Sequence, residues 1–176
     1  MGRGERGGEQ GRQPALQSGR APARLVTVDR AGPELDAVRD LFLEYGESLA
    51  FNTCFGGLDE ELAALPRDYV SPHGCLLLAR QGPEAAGCAG VRRLDATACE
   101  MKRLYVRPRF RRTGLGRALA LAAIERARHL TYRRLYLDTL PMMLEARSLY
   151  TSLGFTACAP YYDNRALGSD CYELLL

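Results

Sequence analysis

The chain has 176 residues, the length of one domain, and its 47% hydrophobic content is enough for a core without disulfides or metals. The formal net charge is only +3, and it comes almost wholly from arginine because Lys102 is the single lysine. Such a mild charge argues against nucleic acid as a partner, since that usually needs a clustered basic face with stacking aromatic residues. The six cysteines include no C-x-x-C pair, and with only two histidines the composition argues against any metal site.

Residues 1–23 are predicted to be a disordered tail, because Gly, Arg, Gln, Pro and Ser leave almost no apolar periodicity to offset the entropy of ordering. The globular domain is predicted over 24–176. The sequence has neither a signal-peptide pattern nor a long apolar run, so we expect a cytoplasmic protein without a membrane partner. Its cysteines are then expected to stay reduced and to act mostly as small core residues.

The first half of the domain is predicted to contain a strand followed by two helices. Alternating apolar residues over 23–29 indicate the strand. Leucine, valine and phenylalanine at helical spacing indicate a helix over 33–49 that begins with a first-turn proline. A shorter helix is expected over 58–65, where Pro66 ends it.

A hairpin and a third strand are predicted next. The apolar runs 75–80 and 85–91 flank a turn signal at 81–84, and a further strand pattern covers 99–106. With the later elements, the predicted order is β-α-α-β-β-β-α-β-α-β-β. Its two central βα units require parallel pairing, whereas the outer strands can be antiparallel. The predicted fold class is therefore α/β, with a mixed central sheet of about seven strands and about four helices.

Two glycines mark the turn from the third strand of that sheet into a helix. Gly114 and Gly116 lie between a strand pattern at 101–106 and a helical pattern at 117–130. A helix start leaves four N–H groups unpaired and carries about half a positive charge, so a pyrophosphate can dock there if no side chain blocks it. A tight strand-to-helix turn can also use glycine only for positive φ or close packing, and the turn alone leaves both interpretations open.

A second motif makes the pattern specific. Residues 146–155 read Ala-Arg-Ser-Leu-Tyr-Thr-Ser-Leu-Gly-Phe and follow a buried strand pattern at 134–139. Together with Arg-x-x-Gly-x-Gly at 111–116, this block resembles the GNAT superfamily of acetyl-CoA-dependent N-acetyltransferases over roughly 24–176. The runs 100–106 and 160–164 resemble, more narrowly, a bacterial subgroup of unassigned substrate.

The resemblance implies acetyl-CoA as co-substrate, Tyr150 as proton donor to the coenzyme thiolate and Glu100 as general base. Asp138, Glu145 and Asp163 are alternative carboxylates. The coenzyme-binding residues that it implies are Leu104, Tyr105, Val106, Arg111, Arg112, Thr113, Gly114, Leu115, Gly116 and Arg117. Two other interpretations stay open, in which Glu100 is a strand-surface glutamate paired with an arginine and Tyr150 is a core tyrosine. Many relatives have asparagine where Met143 stands, so one coenzyme contact is expected to differ.

The acceptor is expected to bind near Tyr161, Tyr162 and Asp163, whose rings and carboxylate suit a small cationic amine. The same segment can instead be a turn in which Asp and Asn cap their own backbone. Phe51, Asn52 and Glu61 are candidates for the opposite wall. The resemblance thus implies acetyl transfer to a primary amine of a small molecule or peptide in a ternary complex, and it allows a homodimer. The alternative is a catalytically silent acyl-CoA-binding regulatory domain.

Overall fold

The computed structural model of the chain describes residues 22–49, 57–162 and 168–176. The predicted tail up to residue 21 lies outside the described residues. The candidate acceptor residues Phe51, Asn52 and Asp163 also lie outside them.

The order of elements confirms the sequence prediction. The strands are β1 (Ala23–Thr27), β2 (Cys75–Gln81), β3 (Glu84–Arg93), β4 (Ala98–Val106), β5 (Arg134–Thr139), β6 (Thr156–Cys158) and β7 (Asp170–Leu175). The helices are α1 (Pro33–Ser48), α2 (Leu58–Ala64), α3 (Leu115–His129) and α4 (Leu144–Ser152), with 3-10 turns at Arg67–Tyr69 and Pro108–Phe110. No helix in the described ranges is both long and apolar enough to cross a membrane.

The strands form one mixed seven-stranded sheet in the order β1-β2-β3-β4-β5-β7-β6. Strands β4 and β5 are parallel, and each other neighbouring pair is antiparallel. The parallel pair is the one predicted from the two central βα units, because a crossover through α3 is needed to bring β5 beside β4. The mixed α/β fold with seven strands and four helices in the described residues is thus confirmed.

Strands β4 and β5 separate soon after they pair. Their register covers only Ala98–Glu100 of β4 against Arg134–Tyr136 of β5. A bulge follows in β4, where Arg103 has a left-handed φ of 55°. Across it, Cys88 pairs with Tyr105 while Gly90 pairs with Lys102, so β4 holds one more residue than β3. A bulge bends its strand, and past Glu100 the edge of β4 that faces β5 has no strand partner among the described residues.

The sheet has a separate hydrophobic core on each face. One core is built on α3 and includes Leu119, Ala123 and Leu135, all fully buried. The other is built on α1 and includes Val38 and Phe42, also fully buried. The helices therefore cover both faces of the sheet, as expected when both sides of the central strands are apolar.

Helix α3 begins two residues before the predicted start at Arg117. Its first residue is Leu115, and Gly114 is the N-cap with a left-handed φ of 83°. Nothing lies within 4 Å of the Cβ that a larger residue would carry at Gly114. Glycine at 114 is thus required by backbone conformation, because a left-handed φ strains other residues. At the end of α4, Gly154 follows the C-cap Leu153 and has a left-handed φ of 92°, as is common for a glycine that ends a helix.

Candidate active site

A cleft of about 550 Å³ opens between the end of β4, the end of α1 and the start of α4. Four of the predicted coenzyme residues line it, namely Leu104, Tyr105, Val106 and Arg111. The unpaired edge of β4 therefore faces an open groove, and an extended ligand with amide groups could pair along such an edge as an added strand does. The Nε of Arg111 already donates to the carbonyl of Val106 at 3.0 Å, so that acceptor is occupied by the protein.

The turn before α3 is built mainly by the backbone. Arg112 has a φ of 61°, and the Thr113 hydroxyl donates to the carbonyl of Phe110 at 2.7 Å. The side chains of Arg112 and Arg117 are exposed, and Arg117 donates to the Ser152 hydroxyl at 2.9 Å. The first N–H groups of a helix have no intrahelical acceptor, so this turn presents main-chain donors without a bulky side chain over Gly114. That arrangement fits an anionic group.

A smaller cavity of about 30 Å³ lies in the opening between β4 and β5. Tyr150, Asp138 and Thr139 line it on one side, and Lys102 with Arg103 on the other. Tyr45 and Leu104 line both this cavity and the large cleft, which places the two spaces next to each other. The cavity therefore leads from the cleft into the opening of the sheet.

Tyr150 belongs to the hydrophobic core and also lines the small cavity. Its side chain is buried, and its ring packs on Phe155 with centroids 5.8 Å apart, as a core tyrosine would. Its residue also lines the cavity, and among the described residues its hydroxyl has no hydrogen-bond partner. Burial, with the nearby Tyr45 and Asp138, raises the pKa of Tyr150 well above its ordinary value. The phenol therefore keeps its proton at neutral pH.

Glu100 is a buried, ion-paired carboxylate rather than a surface one. Only 1% of the residue is exposed, and its carboxylate is paired with Nε of Arg92, which faces it across the β3–β4 register. The Tyr161 hydroxyl donates to the other carboxylate oxygen at 3.1 Å, and Nζ of Lys102 is 3.9 Å from it. Glu100 is thus paired with an arginine, as in the alternative interpretation of the sequence. It also adjoins the opening between β4 and β5.

A polar network extends from Glu100 to the cavity. The Tyr161 hydroxyl also lies 3.5 Å from Oδ1 of Asp138, and Nζ of Lys102 donates to that oxygen at 3.2 Å. Burial and the carboxylates of Glu100 and Asp138 raise the pKa of Tyr161, so this phenol also stays protonated at neutral pH. Its ring lies tilted against the rings of Tyr136 and Tyr162, with centroids 4.9 Å and 4.8 Å away. Tyr161 therefore bridges the carboxylates of two strands.

Lys102 and Arg103 each hold a carboxylate beside the opening. Lys102 lies between Glu100 and Asp138, with its ammonium 5.7 Å from the centre of the Tyr162 ring. Arg103 is buried and binds Glu61 of α2 through Nε at 3.2 Å and Nη2 at 2.6 Å. Burial raises the pKa of Glu61, but Arg103 and Tyr69 outweigh it and leave that pKa below its ordinary value. Glu61 is thus engaged by the protein itself.

The structure divides the predicted site residues between two spaces. Tyr150 and the β4 residues Leu104 to Val106 line the connected cleft and cavity, whereas Glu100 lines a different pocket together with Arg92. Glu145 and Met143 lie in the large cleft. Within the described ranges, no three His, Cys, Asp or Glu side chains come together as a metal site would require.

Some lining residues were missed by sequence reasoning. Tyr45 is one residue of an amphipathic helix and gives no separate signal of its position in two cavities. Arg92 could have been found, because a tight hairpin connection between β3 and β4 fixes the register that sets it opposite Glu100. Lys102 had a compositional signal as the chain's single lysine, within a strand beside a candidate base.

Comparison with known proteins agrees with this geometry. Residues 35–155 match the family model described as "Acetyltransferase (GNAT) family". An uncharacterised N-acetyltransferase of Schizosaccharomyces pombe is 41% identical over 141 residues, covering 79% of this chain and 86% of the relative. Because that relative is fungal, the similarity is not confined to bacteria, and the predicted restriction to a bacterial subgroup is not supported.

Solved structures share the fold. An acetyltransferase from Streptococcus agalactiae superposes with a TM-score of 0.75 at 19% identity, covering 88% of this chain and 98% of that one. The protein yncA of Salmonella typhimurium, solved with acetyl-CoA, gives a TM-score of 0.63 at 20% identity over 86% of this chain and 93% of its own. The matched family model spans the β4 edge, the glycine turn and the Tyr150 helix, and the fungal relative spans most of the chain. The chain therefore belongs to the GNAT family of acetyltransferases.

Proposed function

We propose that this protein transfers an acetyl group from acetyl-CoA to a primary amine by direct attack in a ternary complex. The observation that carries the proposal is the opening between β4 and β5 beyond Glu100 and Tyr136, where the cleft, the Tyr150 cavity and the polar network converge. An acetyl thioester could lie in that opening with the rest of its coenzyme in the cleft. An amine could then approach it from the side of the polar network. Solved relatives that contain acetyl-CoA support the choice of co-substrate.

The residues present fit the coenzyme. The unpaired edge of β4 can pair with an extended amide-containing arm, and the cleft of about 550 Å³ can accommodate it. The turn before α3 offers main-chain N–H groups and open space over Gly114 for phosphate. When bound, acetyl-CoA supplies the activated acetyl group.

Tyr150 is proposed as the proton donor. Its hydroxyl stays protonated because burial raises its pKa, and it lies at the cavity through which cleft and opening communicate. A phenol in that place can give its proton to a departing thiolate. The reference pKa values of phenol and thiol, near 10 and 8.5, lie close together, and the burial that raises the pKa of the phenol also raises that of a thiol held in the same cavity.

Glu100 is proposed to receive the proton of the amine through Tyr161. An alkylamine with pKa near 10.4 is almost wholly protonated at neutral pH, so acetylation requires a group that accepts its proton. The Tyr161 hydroxyl donates to Glu100 and can accept from a bound amine as its own proton moves to the carboxylate. Arg92 and Lys102 place two positive charges beside this carboxylate.

Binding and turnover provide the test. We expect acetyl-CoA and CoA, but neither ATP nor NAD, to raise the melting temperature of the full chain in reducing buffer. A ligand at a hundred times its Kd adds about 2.7 kcal/mol, or a few degrees for a domain of this size. Thiol release in the presence of amines then measures transfer. Absence of any shift would contradict the proposal, whereas binding without transfer to any amine would favour a regulatory acyl-CoA-binding domain.

A further inference from the structure

Two cysteines of neighbouring strands face each other at the edge of the sheet. Cys158 of β6 is the register partner of Cys171 of β7, and both are free thiols. Directly opposed residues of antiparallel strands have Cα atoms about 4.5–5.5 Å apart and side chains on the same face. A disulfide joins residues whose Cα atoms are about 4.4–6.8 Å apart. The register therefore places these two thiols where they can be joined.

The pair differs from the other described cysteines. Cys75, Cys88 and Cys99 are buried, and the sheet register sets other residue types opposite each of them. Cys158, in contrast, is only half-buried, so a small oxidant can reach it. Burial and the neighbouring thiol of Cys171 both raise the pKa of Cys158, which agrees with their closeness in the register.

Strand β6 is the part of the sheet that is easiest to shift. It has three residues and lies at the edge, where β7 is its neighbour. The Cβ atoms of an opposed pair are about 4.5–5.5 Å apart, whereas those of a disulfide are about 3.5–4.5 Å apart. Closing the bond thus requires an approach of about 1 Å, which a short edge strand can make without moving the core.

The cysteine pair lies on the face of the sheet that carries the polar network. Asp138 of β5 is the register partner of Cys171 on the other side of β7, so the three side chains share one face. The main-chain N–H of Tyr161 hydrogen-bonds to the sulfur of Cys171. Tyr161 also follows Cys158 by only three residues in the chain. The position of Tyr161 therefore depends on both cysteines.

We propose that Cys158 and Cys171 form a reversible disulfide that displaces Tyr161 and so interrupts the proposed proton path to Glu100. The oxidant is a small disulfide, for which glutathione disulfide is the probe. The Cys158 thiolate attacks one of its sulfurs, which forms a mixed disulfide and releases one glutathione thiolate. The Cys171 thiolate then attacks the Cys158 sulfur, forms the cross-strand S–S bond and releases the second glutathione thiolate. The two protein thiols are oxidised, and glutathione disulfide is reduced to two thiols that take up the two protons.

Bond formation changes the surroundings of Tyr161 at two points. The sulfur that accepts its N–H becomes part of an S–S bond, and the chain just before it is drawn toward β7. The Tyr161 hydroxyl lies 3.1 Å from Glu100 and 3.5 Å from Asp138, so a shift of about 1 Å takes it out of hydrogen-bond distance. Neither cysteine lines the coenzyme cleft. Oxidation should therefore affect turnover and leave acetyl-CoA binding unchanged, an effect that rests on the proposed function.

Peptide mass mapping tests the bond itself. The full chain would be incubated with glutathione disulfide at about pH 8.5, because burial raises the pKa of both thiols and the attack requires a thiolate. Proteolysis without reductant should release two peptides joined through Cys158 and Cys171, and dithiothreitol should separate them. If both residues stay as alkylatable thiols, or carry glutathione without being joined, the inference is overturned.

Turnover tests the consequence of the bond. The linked protein should acetylate an amine with a kcat at least about tenfold below that of the reduced protein, since removing an acid–base group usually costs more than that. Dithiothreitol should restore kcat, and the rise in melting temperature with acetyl-CoA should be the same in both states. Equal kcat in the linked and reduced proteins would overturn the proposed effect on Tyr161.

Cys158→Ser is the variant with the least structural risk, because the residue is half-buried and lies outside the proposed machinery. It should keep the kcat of the reduced wild type and no longer respond to glutathione disulfide. Cys54→Ser is the matched control, since it removes a different thiol, one that lies outside the described residues, and should respond as the wild type does. Inhibition that persists in Cys158→Ser, or that disappears in Cys54→Ser, would contradict the assignment.

The failure of the proposed function looks different. The disulfide is measured by mass and does not depend on acetyl transfer. If the reduced protein neither binds acetyl-CoA nor acetylates any amine, acetyl transfer is wrong and the effect on turnover falls with it. If the reduced protein acetylates an amine and the two cysteines do not join, the disulfide inference alone is wrong.

Discussion

Tyr150 lies between core and cavity, and its proposed role depends on one oxygen atom. Replacement of Tyr150 by phenylalanine removes the hydroxyl and retains the ring that packs on Phe155 and Tyr172. We expect kcat to fall about a hundredfold or more, the usual loss when a proton donor is removed, while acetyl-CoA affinity and melting temperature stay near those of the wild type. Full activity in Tyr150→Phe would remove the residue from the mechanism.

Glu100 and Tyr161 are expected to act as one unit, because a single hydrogen bond of 3.1 Å joins them. Glu100→Gln and Tyr161→Phe should each lower kcat about a hundredfold, and the double variant should lose little more than either. Kinetics of the four proteins measure that coupling. Additive losses would mean independent roles. Melting temperatures must be recorded as well, since Glu100→Gln leaves the Arg92 guanidinium without its carboxylate.

At the level of elements, α2 is tied to β4 by the buried pair of Glu61 and Arg103, whose side chains are 10% and 6% exposed. Glu61→Gln removes the carboxylate that binds the buried arginine, and we expect a loss of about 3–5 kcal/mol in the free energy of unfolding. The double change Glu61→Leu with Arg103→Met should recover part of it, because two apolar groups need no partner, while the buried Tyr69 hydroxyl loses its acceptor on Glu61. Chemical denaturation of the wild type and of the two variants measures both values.

The ion pair of Glu61 and Arg103 predicts that the protein loses stability at acidic pH. The folded-state pKa of Glu61 is lowered, because Arg103 and Tyr69 outweigh the effect of burial. Its contribution is therefore fully present above the unfolded pKa of about 4.3 and is lost as the pH falls through the lower folded value. Below about pH 4 the wild type should lose stability more steeply than Glu61→Gln. If the free energy of unfolding fell with the same slope against pH in both proteins, the lowered pKa of Glu61 would be contradicted.

Two glycines at the start of α3 allow effects on protein stability to be distinguished from effects on acetyl-CoA binding. Gly116→Ala places its Cβ at ordinary contact distances of 3.8 Å from Val106 and 4.0 Å from Leu149, and should stabilise the helix by up to about 1 kcal/mol. A Cβ at position 114 meets no atom within 4 Å, but Gly114→Val must adopt a φ of 83°, at a cost of about 1–2 kcal/mol. We expect both variants to bind acetyl-CoA more weakly in calorimetry, although their stabilities change in opposite directions. Unchanged affinity in both would refute a phosphate site at this turn.

For the whole molecule, the short β4–β5 register means that the two antiparallel parts of the sheet share only three paired positions. A coenzyme that pairs with the free edge of β4 would close this opening. Hydrogen exchange should therefore slow at 104–106 and in the first turn of α3 when acetyl-CoA is added. Exchange in the β1–β2 pair should stay the same, because that pair lies away from the opening. Uniform protection across the sheet would indicate general stabilisation instead.

Much of the fold was predictable because it depends on local patterns. Period-two and helical spacing predicted the seven strands and four helices in order, and Pro33 marked the start of α1. The start of α3 was predicted two residues too late, because the glycines at 114 and 116 suggested a longer turn than the one observed. The bulge at Arg103 left no signal, because an arginine with positive φ has the same sequence as one in a regular strand.

The sequence by itself determined the order of elements, the glycine turn and the family motif around Tyr150, because each depends on residues close together in the chain. Only the tertiary structure decided that Arg92 neutralises Glu100, that Tyr161 links it to Asp138 and that Tyr45 lines two cavities. These contacts join residues from separate strands and loops, and their distances follow from strand register and from the separation of β4 and β5. Burial and neighbouring charges then shift the pKa values of Tyr150, Tyr161 and Glu61, since a pKa depends on what surrounds a group in space and not on its neighbours in sequence.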